Sequence, residues 1–301
     1  MSFDFLFMLI DTHAHLNFNA FKDDADEIID QCFKNDIWMI NVGSQFSTSK
    51  RAVQIAEKYS EGVYAAIGLH PIHAIPHQFD VNEVSPSFKS KPEEFDANQY
   101  RELAKSKKVV ALGEIGLDYS YAKTGKDKEA QKKAFISQLE LAKELSLPVI
   151  IHCREAWTDL IKILKLEIKT LSTLDNLDTY LSACRGGLEI RNSKLEIRGV
   201  AHFFSGTIED AQKLLNMGFL MSFTGVITFT KDYDKVIKEI PLEKIMVETD
   251  CPYVTPVPFR GKRNLPLYVE YVAQKIAEIK NVSFEEVVEQ TTKNAQNLFK
   301  I

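Results

Sequence analysis

Histidines and carboxylates recur where short apolar segments of the sequence end. His13 and His15 stand two residues apart at the end of the first such segment. Because side chains two apart on an extended segment point to the same side, both imidazoles can bind one metal ion. Four further candidates each follow a different apolar segment: Glu114, His152, His202 and Asp250. Imidazole and carboxylate ligands together suit a divalent ion such as Zn²⁺ or Mn²⁺.

The number of these candidates bears on how many ions are held. Six ligands are more than one tetrahedral ion requires, so we expect one or two divalent ions, with Mg²⁺, Mn²⁺ and Zn²⁺ left open. Glu114 is the natural bridge, and two ions about 3.5–4 Å apart would activate a water for an in-line displacement. Taken singly, the His13–His15 pair is a weak signal, a buried Glu or Asp is more often a salt-bridge partner, and His152 or His202 is more often a hydrogen-bonded core histidine. Their joint position at strand ends favours the metal site.

Further residues beside these segments are candidates for contacting substrate. His70, in Gly68-Leu69-His70-Pro71, also ends an apolar segment and is predicted to contact a substrate phosphate. Arg154, two residues after His152, is predicted to clamp a phosphate oxygen, with a surface ion pair as the equal alternative. His73 and His77 lie in the following loop, where we expect solvated side chains.

Eight apolar, β-branched segments supply these positions. We predict strands at 7–12, 38–42, 63–69, 109–114, 149–152, 200–204, 219–223 and 245–249. The segments are nearly continuous apolar runs, as expected of parallel strands covered on both faces. Helical patterns lie between them, including 23–33, which starts with acidic residues, and 129–147, which Pro148 ends.

Eight alternating strand–helix units predict an α/β fold of the (β/α)₈ TIM-barrel type over a single domain, residues 1–301. The competing doubly wound sheet would have a glycine-rich loop after the first strand, where this chain has Thr12-His13-Ala14-His15. In a barrel the carboxyl ends of the strands meet, so the six side chains can converge. Enlarged loops are expected at about 78–99 and 166–198, the second with a small hairpin around 192–194.

Composition narrows the class of protein. The 301 residues include 37 Lys+Arg and 42 Asp+Glu, a net charge of −5, which argues against a protein that coats duplex nucleic acid but not against an enzyme acting on its ends. The four cysteines form no C-x-x-C pair, so no disulfide framework or zinc finger is indicated. The apolar run 5–10 follows an acidic residue and is far short of a membrane span. We therefore expect a soluble, cytoplasmic protein with no membrane partner.

Several segments resemble those of the TatD-type metal-dependent hydrolases of the amidohydrolase superfamily. They are IDTHAHLNF (10–18), GLHPIHA (68–74), ALGEIGLDY (111–119), LPVIIHCREA (147–156), AHFFSGT (201–207), VETDCPYVTP (247–256), RGKRNLP (260–266) and TTKNAQNLF (291–299). They span almost the whole chain in order, and together they are highly specific. The resemblance implies a (β/α)₈ barrel with one or two divalent ions and phosphodiesterase activity on DNA, usually described as deoxyribonuclease and often 3′→5′ exonucleolytic.

The resemblance also implies residue roles. It assigns the ligands to two ions: His13, His15 and Asp250 to one, His152 and His202 to the other, and Glu114 between them. Asp250 would also orient or deprotonate the attacking water, and this makes Asp250 and Glu114 the catalytic candidates. The chain departs from the pattern before Met8 and in the two enlarged loops, and neither departure removes a ligand.

Three functions are compatible with these residues. The first is a phosphodiesterase acting on DNA ends or single strands, favoured by the basic cluster Arg260, Lys262 and Arg263 after the last strand, although a solvated loop explains that cluster equally well. The second is hydrolysis of another ester, an amide or a small phosphoester at the same centre. Strand four offers Glu114 and no lysine, which disfavours enzymes with a carboxylated-lysine bridge. The third, a non-catalytic binding barrel, is disfavoured because no ligand is missing. No obligate protein partner is indicated.

Overall fold

Eight parallel β-strands form one sheet in sequence order in the computed structural model, which describes residues 8–78, 80–84, 91–172 and 197–301. The strands are β1 Leu9–Ala14, β2 Ile37–Val42, β3 Val63–Ile67, β4 Val109–Asp118, β5 Val149–Arg154, β6 Gly199–Ala201, β7 Leu220–Phe223 and β8 Ile245–Val247. Just beyond β8, Ala14 and Cys251 form a parallel bridge that brings the two ends of the sheet together. The predicted (β/α)₈ barrel is confirmed.

Helices alternate with the strands and cover the outside of the barrel. In the described residues they are α1 Ala25–Lys34, α2 Phe46–Ala56, α3 Ala97–Leu103, α4 Gly125–Leu145, α5 Trp157–Ser172, α6 Ile208–Asn216, α7 Asp234–Glu239, α8 Val269–Lys280 and α9 Phe284–Phe299. None of these helices is long and apolar enough to cross a membrane, a finding limited to the part of the chain that is described. The expectation of a single domain over 1–301 stays a prediction.

The apolar core lies in two layers because strand side chains alternate in direction. Ile10 and Ile40 belong to one buried cluster, which also includes Phe299 at the end of α9. The Thr292 hydroxyl of α9 donates a hydrogen bond to the carbonyl of Met8, 2.6 Å away, just before β1. Helix α9 therefore covers the amino-terminal end of the barrel, which leaves the opposite end for chemistry.

Strand ends are where the sequence-based prediction was wrong. Strand β4 runs four residues past its predicted end at 114, and pairs Gly116 with His152 and Asp118 with Arg154. Gly116 has a φ of +147°, and a Cβ at that position would lie 1.9 Å from the His152 carbonyl oxygen, so only glycine permits this pairing. Strands β3, β6 and β8 end earlier than predicted, at Ile67, Ala201 and Val247.

Helix and loop bounds also differ from prediction. Helix α4 begins at Gly125 rather than 129, because the Thr124 side chain caps it and Asp127 returns a hydrogen bond to the backbone of Thr124. The first helix starts two residues later than predicted, at Ala25. The predicted loop 166–198 is helical up to Ser172, and its predicted hairpin lies outside the described residues.

Candidate metal centre

Three side chains from β1 and the segment after β8 form one group at the carboxyl end of the barrel. The Nε2 atoms of His13 and His15 lie 3.1 Å apart, and His15 Nε2 lies 3.3 Å from Oδ1 of Asp250. Asp250 reaches this position because its backbone N–H donates to the carbonyl of His13, 2.9 Å away, in a left-handed turn (φ 55°). The ligand atoms of the three residues lie within 4.8 Å of one another.

A second group surrounds Glu114. Oε1 of Glu114 lies 2.7 Å from Nδ1 of His152, 3.4 Å from Nε2 of His70 and 3.7 Å from Nε2 of His202. Its other oxygen, Oε2, lies 3.4 Å from Nε2 of His13. The two carboxylate oxygens of Glu114 therefore face different groups of imidazoles, which is the arrangement that a bridging ligand needs.

The donor atoms fit a divalent ion. Ligands at the usual bond lengths of about 2.0–2.1 Å around a tetrahedral ion lie roughly 3.3–3.4 Å from each other. Nδ1 of His15 lies 2.8 Å from the carbonyl oxygen of Val42 and donates to it, so Nε2 presents a lone pair to Nε2 of His13. The 3.1 Å between these two buried nitrogens, which one N–H···N hydrogen bond accounts for in the protein alone, is also close to the separation of two ligands on one cation.

Burial and neighbouring charges shift the pKa values of the histidines and carboxylates in this centre. Burial, reinforced by His202, lowers the pKa of His13 to about 3. Burial acts against protonation of His152 too, but hydrogen bonds to Asp118 and Glu114 outweigh it and raise the pKa of His152 to about 9. Glu114 has its pKa held well below the usual value, since the surrounding histidines overcome burial. Binding a cation here must displace protons from imidazoles, so affinity for the ion rises with pH.

Two carboxylates that the sequence analysis missed orient the histidines from behind. Oδ2 of Asp118 lies 3.1 Å from Nε2 of His152, and Oε1 of Glu248 lies 2.9 Å from Nδ1 of His202. Glu248 is itself held by the hydroxyl of Ser222 at 2.6 Å. Each imidazole thus turns its other nitrogen towards Glu114. Only Glu248 had a signal in the sequence, because it lies near the end of the predicted strand 245–249, two residues before Asp250.

Glu248→Gln is expected to weaken Mn²⁺ binding about tenfold, because the neutral amide orients the His202 ring less firmly and makes its free nitrogen less basic. Isothermal titration of the metal-free protein with Mn²⁺ measures this. The matched control is Glu270→Gln, an exposed position on α8. Equal Mn²⁺ affinity in Glu248→Gln and the unmodified protein would rule out an orienting role.

The two residues predicted to bind substrate lie in different surroundings. His70 lies within the centre: its Nε2 is 3.4 Å from Oε1 of Glu114, and its ring centroid is 4.3 Å from that of His152. Arg154 ends β5 and is exposed, and it takes part in no ion pair with the described residues. Among residues with described coordinates, the alternative of a surface ion pair is therefore not realised.

One expectation about the loop after β3 was wrong. His73 is buried rather than solvated, and its Nε2 lies 2.7 Å from Oε1 of Glu83. The side chains of Ser44 and Gln45 also donate to this carboxylate. His77 is partly buried and its Nδ1 contacts the carbonyl of Ile75 at 3.0 Å. Through these hydrogen bonds, Glu83 holds the described residues 80–84 against the carboxyl end of the barrel.

Glu83→Ala is expected to lower the free energy of unfolding by about 3 kcal/mol at neutral pH, because it leaves buried donors without an acceptor. Burial opposes ionisation, but the hydrogen bonds from His73 and Ser44 outweigh it and lower the pKa of Glu83 from 4.5 to about 2. The stabilisation is thus complete above pH 4.5 and is lost as the pH falls towards 2. Urea unfolding at several pH values checks this, with the exposed Glu94→Ala as control. A pH-independent loss would contradict it.

The three basic residues after β8 differ in whether they form an ion pair. Arg263 forms an ion pair with Asp24, and its guanidinium lies over the ring of Phe21. Arg260 and Lys262 are exposed and make no ion pair within the described parts of the chain. Of the three basic residues of this cluster, only Arg260 and Lys262 make no ion pair with described residues at the carboxyl end of the barrel.

A parallel eight-stranded barrel with imidazoles and carboxylates gathered at its carboxyl end defines the class of metal-dependent barrel hydrolases. The chain belongs to the TatD-related DNase family, whose sequence pattern matches residues 10–300. It is 41% identical over 297 residues to the uncharacterized metal-dependent hydrolase YabD of Bacillus subtilis, a match covering 98% of this chain and 100% of YabD.

A relative that is named as a deoxyribonuclease has a lower sequence identity to this chain. Deoxyribonuclease TATDN3 of Homo sapiens is 29% identical over 296 residues, a match covering 97% of this chain and 94% of TATDN3. Among solved structures, YJJV, a TatD homologue from Escherichia coli, superimposes with a TM-score of 0.76 at 26% identity, covering 98% of this chain and 99% of YJJV. The resemblance to TatD-type hydrolases is confirmed.

Proposed function

We propose that this metal-dependent hydrolase is a phosphodiesterase that cleaves DNA, acting on strand ends or single strands. The observation that carries the proposal is the position of Glu114, whose two oxygens face separate groups of imidazoles. A pair of cation sites sharing one carboxylate suits in-line displacement at phosphorus. The name deoxyribonuclease borne by the human relative supports the choice of DNA.

The ligands of this centre are assigned in two sets. His13, His15 and Asp250 would hold one ion, His152 and His202 would hold the other, and Glu114 would be the ligand between them. A divalent ion bound there supplies Lewis acidity to a phosphate oxygen and lowers the pKa of water. We assign Mg²⁺, Mn²⁺ or Zn²⁺ to these sites, since all three accept the nitrogen and oxygen donors present.

Asp250 takes the proton in this mechanism. Its Oδ1 lies 3.3 Å from His15 Nε2 and 3.9 Å from Nε2 of both His13 and His202, so it faces the middle of the centre. A carboxylate held there orients the attacking water and accepts its proton at an Oδ atom. His70, whose Nε2 lies 3.4 Å from Glu114, and Arg154, exposed at the end of β5, bind the phosphate of the substrate, Arg154 through its guanidinium.

Release of nucleotides from short DNA strands tests the proposal. Single-stranded and duplex oligonucleotides are incubated with the chelated protein and with Mg²⁺, Mn²⁺ or Zn²⁺ added back. Cleavage that requires the added ion is the expected result, and the products distinguish cutting at ends from cutting within. Cleavage of small phosphoesters or carboxylic esters without any cleavage of DNA would show the alternative substrate class, and hydrolysis of neither would contradict the enzyme assignment.

A further inference from the structure

The loops after β7 and β8 meet and expose an aromatic ring beside a cation. Phe229 ends the short helical turn Gly225–Thr228 after β7 and is 42% exposed. Val257, in the loop after β8, is 44% exposed, and its backbone N–H donates to the Thr228 hydroxyl at 2.9 Å. The guanidinium carbon of Arg260 lies 3.9 Å from the centre of the Phe229 ring.

This surface is unusual for the molecule. Only five large apolar side chains of the described residues are exposed, and two of them, Phe229 and Val257, lie together here. The position is fixed by close contact, because a Cβ on Gly225 would lie 2.4 Å from the Val254 carbonyl oxygen. Arg260 is held by a hydrogen bond of 2.8 Å from its guanidinium to the Thr255 carbonyl. The aromatic ring and the cation are therefore presented in a preformed arrangement.

Two positively charged side chains, Arg260 and Lys262, lie in the loop after β8 that contains Val257. Arg260 and Lys262 enter no ion pair with the residues that the structure describes, and the Lys262 ammonium lies 5.8 Å from the ring of Phe259. Both loops follow the carboxyl ends of strands, so they stand on the same end of the barrel as Asp250. An exposed aromatic–guanidinium pair, followed two residues later by an exposed lysine, on the same end of the barrel as the proposed phosphodiester site has the chemistry of a surface that binds unpaired nucleotides.

We infer that Phe229, Arg260 and Lys262 form a platform for one unpaired nucleotide of the DNA strand being cleaved. The base stacks on the Phe229–Arg260 pair, and the adjoining phosphate is attracted by the two cations. This inference rests on the proposed function. Because a base within a duplex is already stacked and is not free to bind, the platform favours single strands over blunt duplexes.

Steady-state kinetics with two substrates tests the platform. The probes are a 12-nucleotide oligodeoxyadenosine strand and methyl p-nitrophenyl phosphate, a diester without a base, both with Mn²⁺. Phe229→Ala is expected to lower the ratio of kcat/KM for the strand to kcat/KM for the small diester about tenfold, mainly through KM for the strand. Phe229→Trp, which keeps an aromatic ring, should have the same ratio as the unmodified protein. Leu166→Ala, 55% exposed on the outer helix α5, is the control.

A salt series separates the cations from the ring. Replacing both Arg260 and Lys262 with glutamine should flatten the dependence of log KM on log salt, by about 0.7 for each phosphate contact removed. Lys50→Gln, on the exposed side of α2, should leave the slope as it is.

The outcomes distinguish the two proposals. An unchanged substrate ratio in Phe229→Ala, or an equal loss on both substrates, overturns the platform while cleavage of DNA by the unmodified protein keeps the proposed function. If the unmodified protein hydrolyses the small diester but not the strand, the assignment of DNA as substrate fails and the platform fails with it.

Discussion

Glu114→Gln is expected to lower kcat/KM for DNA hydrolysis by at least about a thousandfold, a loss of roughly 4 kcal/mol in transition-state stabilisation. The side chain faces His13 with one oxygen and His152 with the other. An amide keeps the shape but supplies one neutral oxygen and one NH₂, which cannot bind a cation. The ion site on the side of the NH₂ group therefore loses its carboxylate ligand, whether that is the side of His13 or of His152.

The same variant should remain folded. Glutamine keeps the volume of the buried Glu114 side chain and one acceptor oxygen, so the circular dichroism spectrum of the metal-free protein should show the same fold even though the loss of the charge beside the histidines lowers its stability. Glu129→Gln, a 74% exposed position on α4, is the matched control. Hydrolysis at the unmodified rate in Glu114→Gln would exclude a bridging role, and titration with Mn²⁺ should show that the variant binds fewer ions.

Asp250→Asn is expected to lower kcat by about 10²–10⁴-fold, because the amide cannot accept the proton of the attacking water. Its backbone is in the left-handed region (φ 55°), a conformation that asparagine tolerates as well as aspartate, so the turn should be preserved. Pre-steady-state measurements with saturating Mn²⁺ report the chemical step directly.

A closely matched control exists for this substitution. Asp36 is also in the left-handed region (φ 54°), and it precedes β2 at the amino-terminal end of the barrel. Asp36→Asn should therefore have the same backbone cost without the catalytic loss. A kcat for Asp250→Asn equal to that of Asp36→Asn would contradict the assignment of Asp250 as the base.

The barrel and the convergence of the six candidate ligands could be predicted because each depends on local pattern. Strands buried on both faces read as apolar runs, and parallel strands in a barrel bring their carboxyl ends to one place. His13 and Asp250 are 237 positions apart in the chain, and the barrel rule alone brought them together. The start of α4 could also have been found, since Thr124 and Asp127 have the spacing of a capping box.

Contacts that depend on tertiary pairing could not be predicted. The role of Asp118 follows from the extension of β4 beside β5, which only the backbone of Gly116 permits. Burial of His73 against Glu83 requires the described residues 80–84 to fold back, where the backbone N–H of Asn19 donates to the Glu83 carbonyl at 3.0 Å. No periodicity in the sequence encodes such a contact between two loops.

The most direct test of the proposed metal centre is anomalous X-ray diffraction from crystals soaked in Mn²⁺, recorded on both sides of the manganese absorption edge. The expected result is one peak among His13, His15 and Asp250 and a second beside His152 and His202, with an oxygen of Glu114 within about 2.2 Å of each. Manganese peaks held only by other residues, or none at the carboxyl end of the barrel, would contradict the assignment of a divalent-metal hydrolytic site.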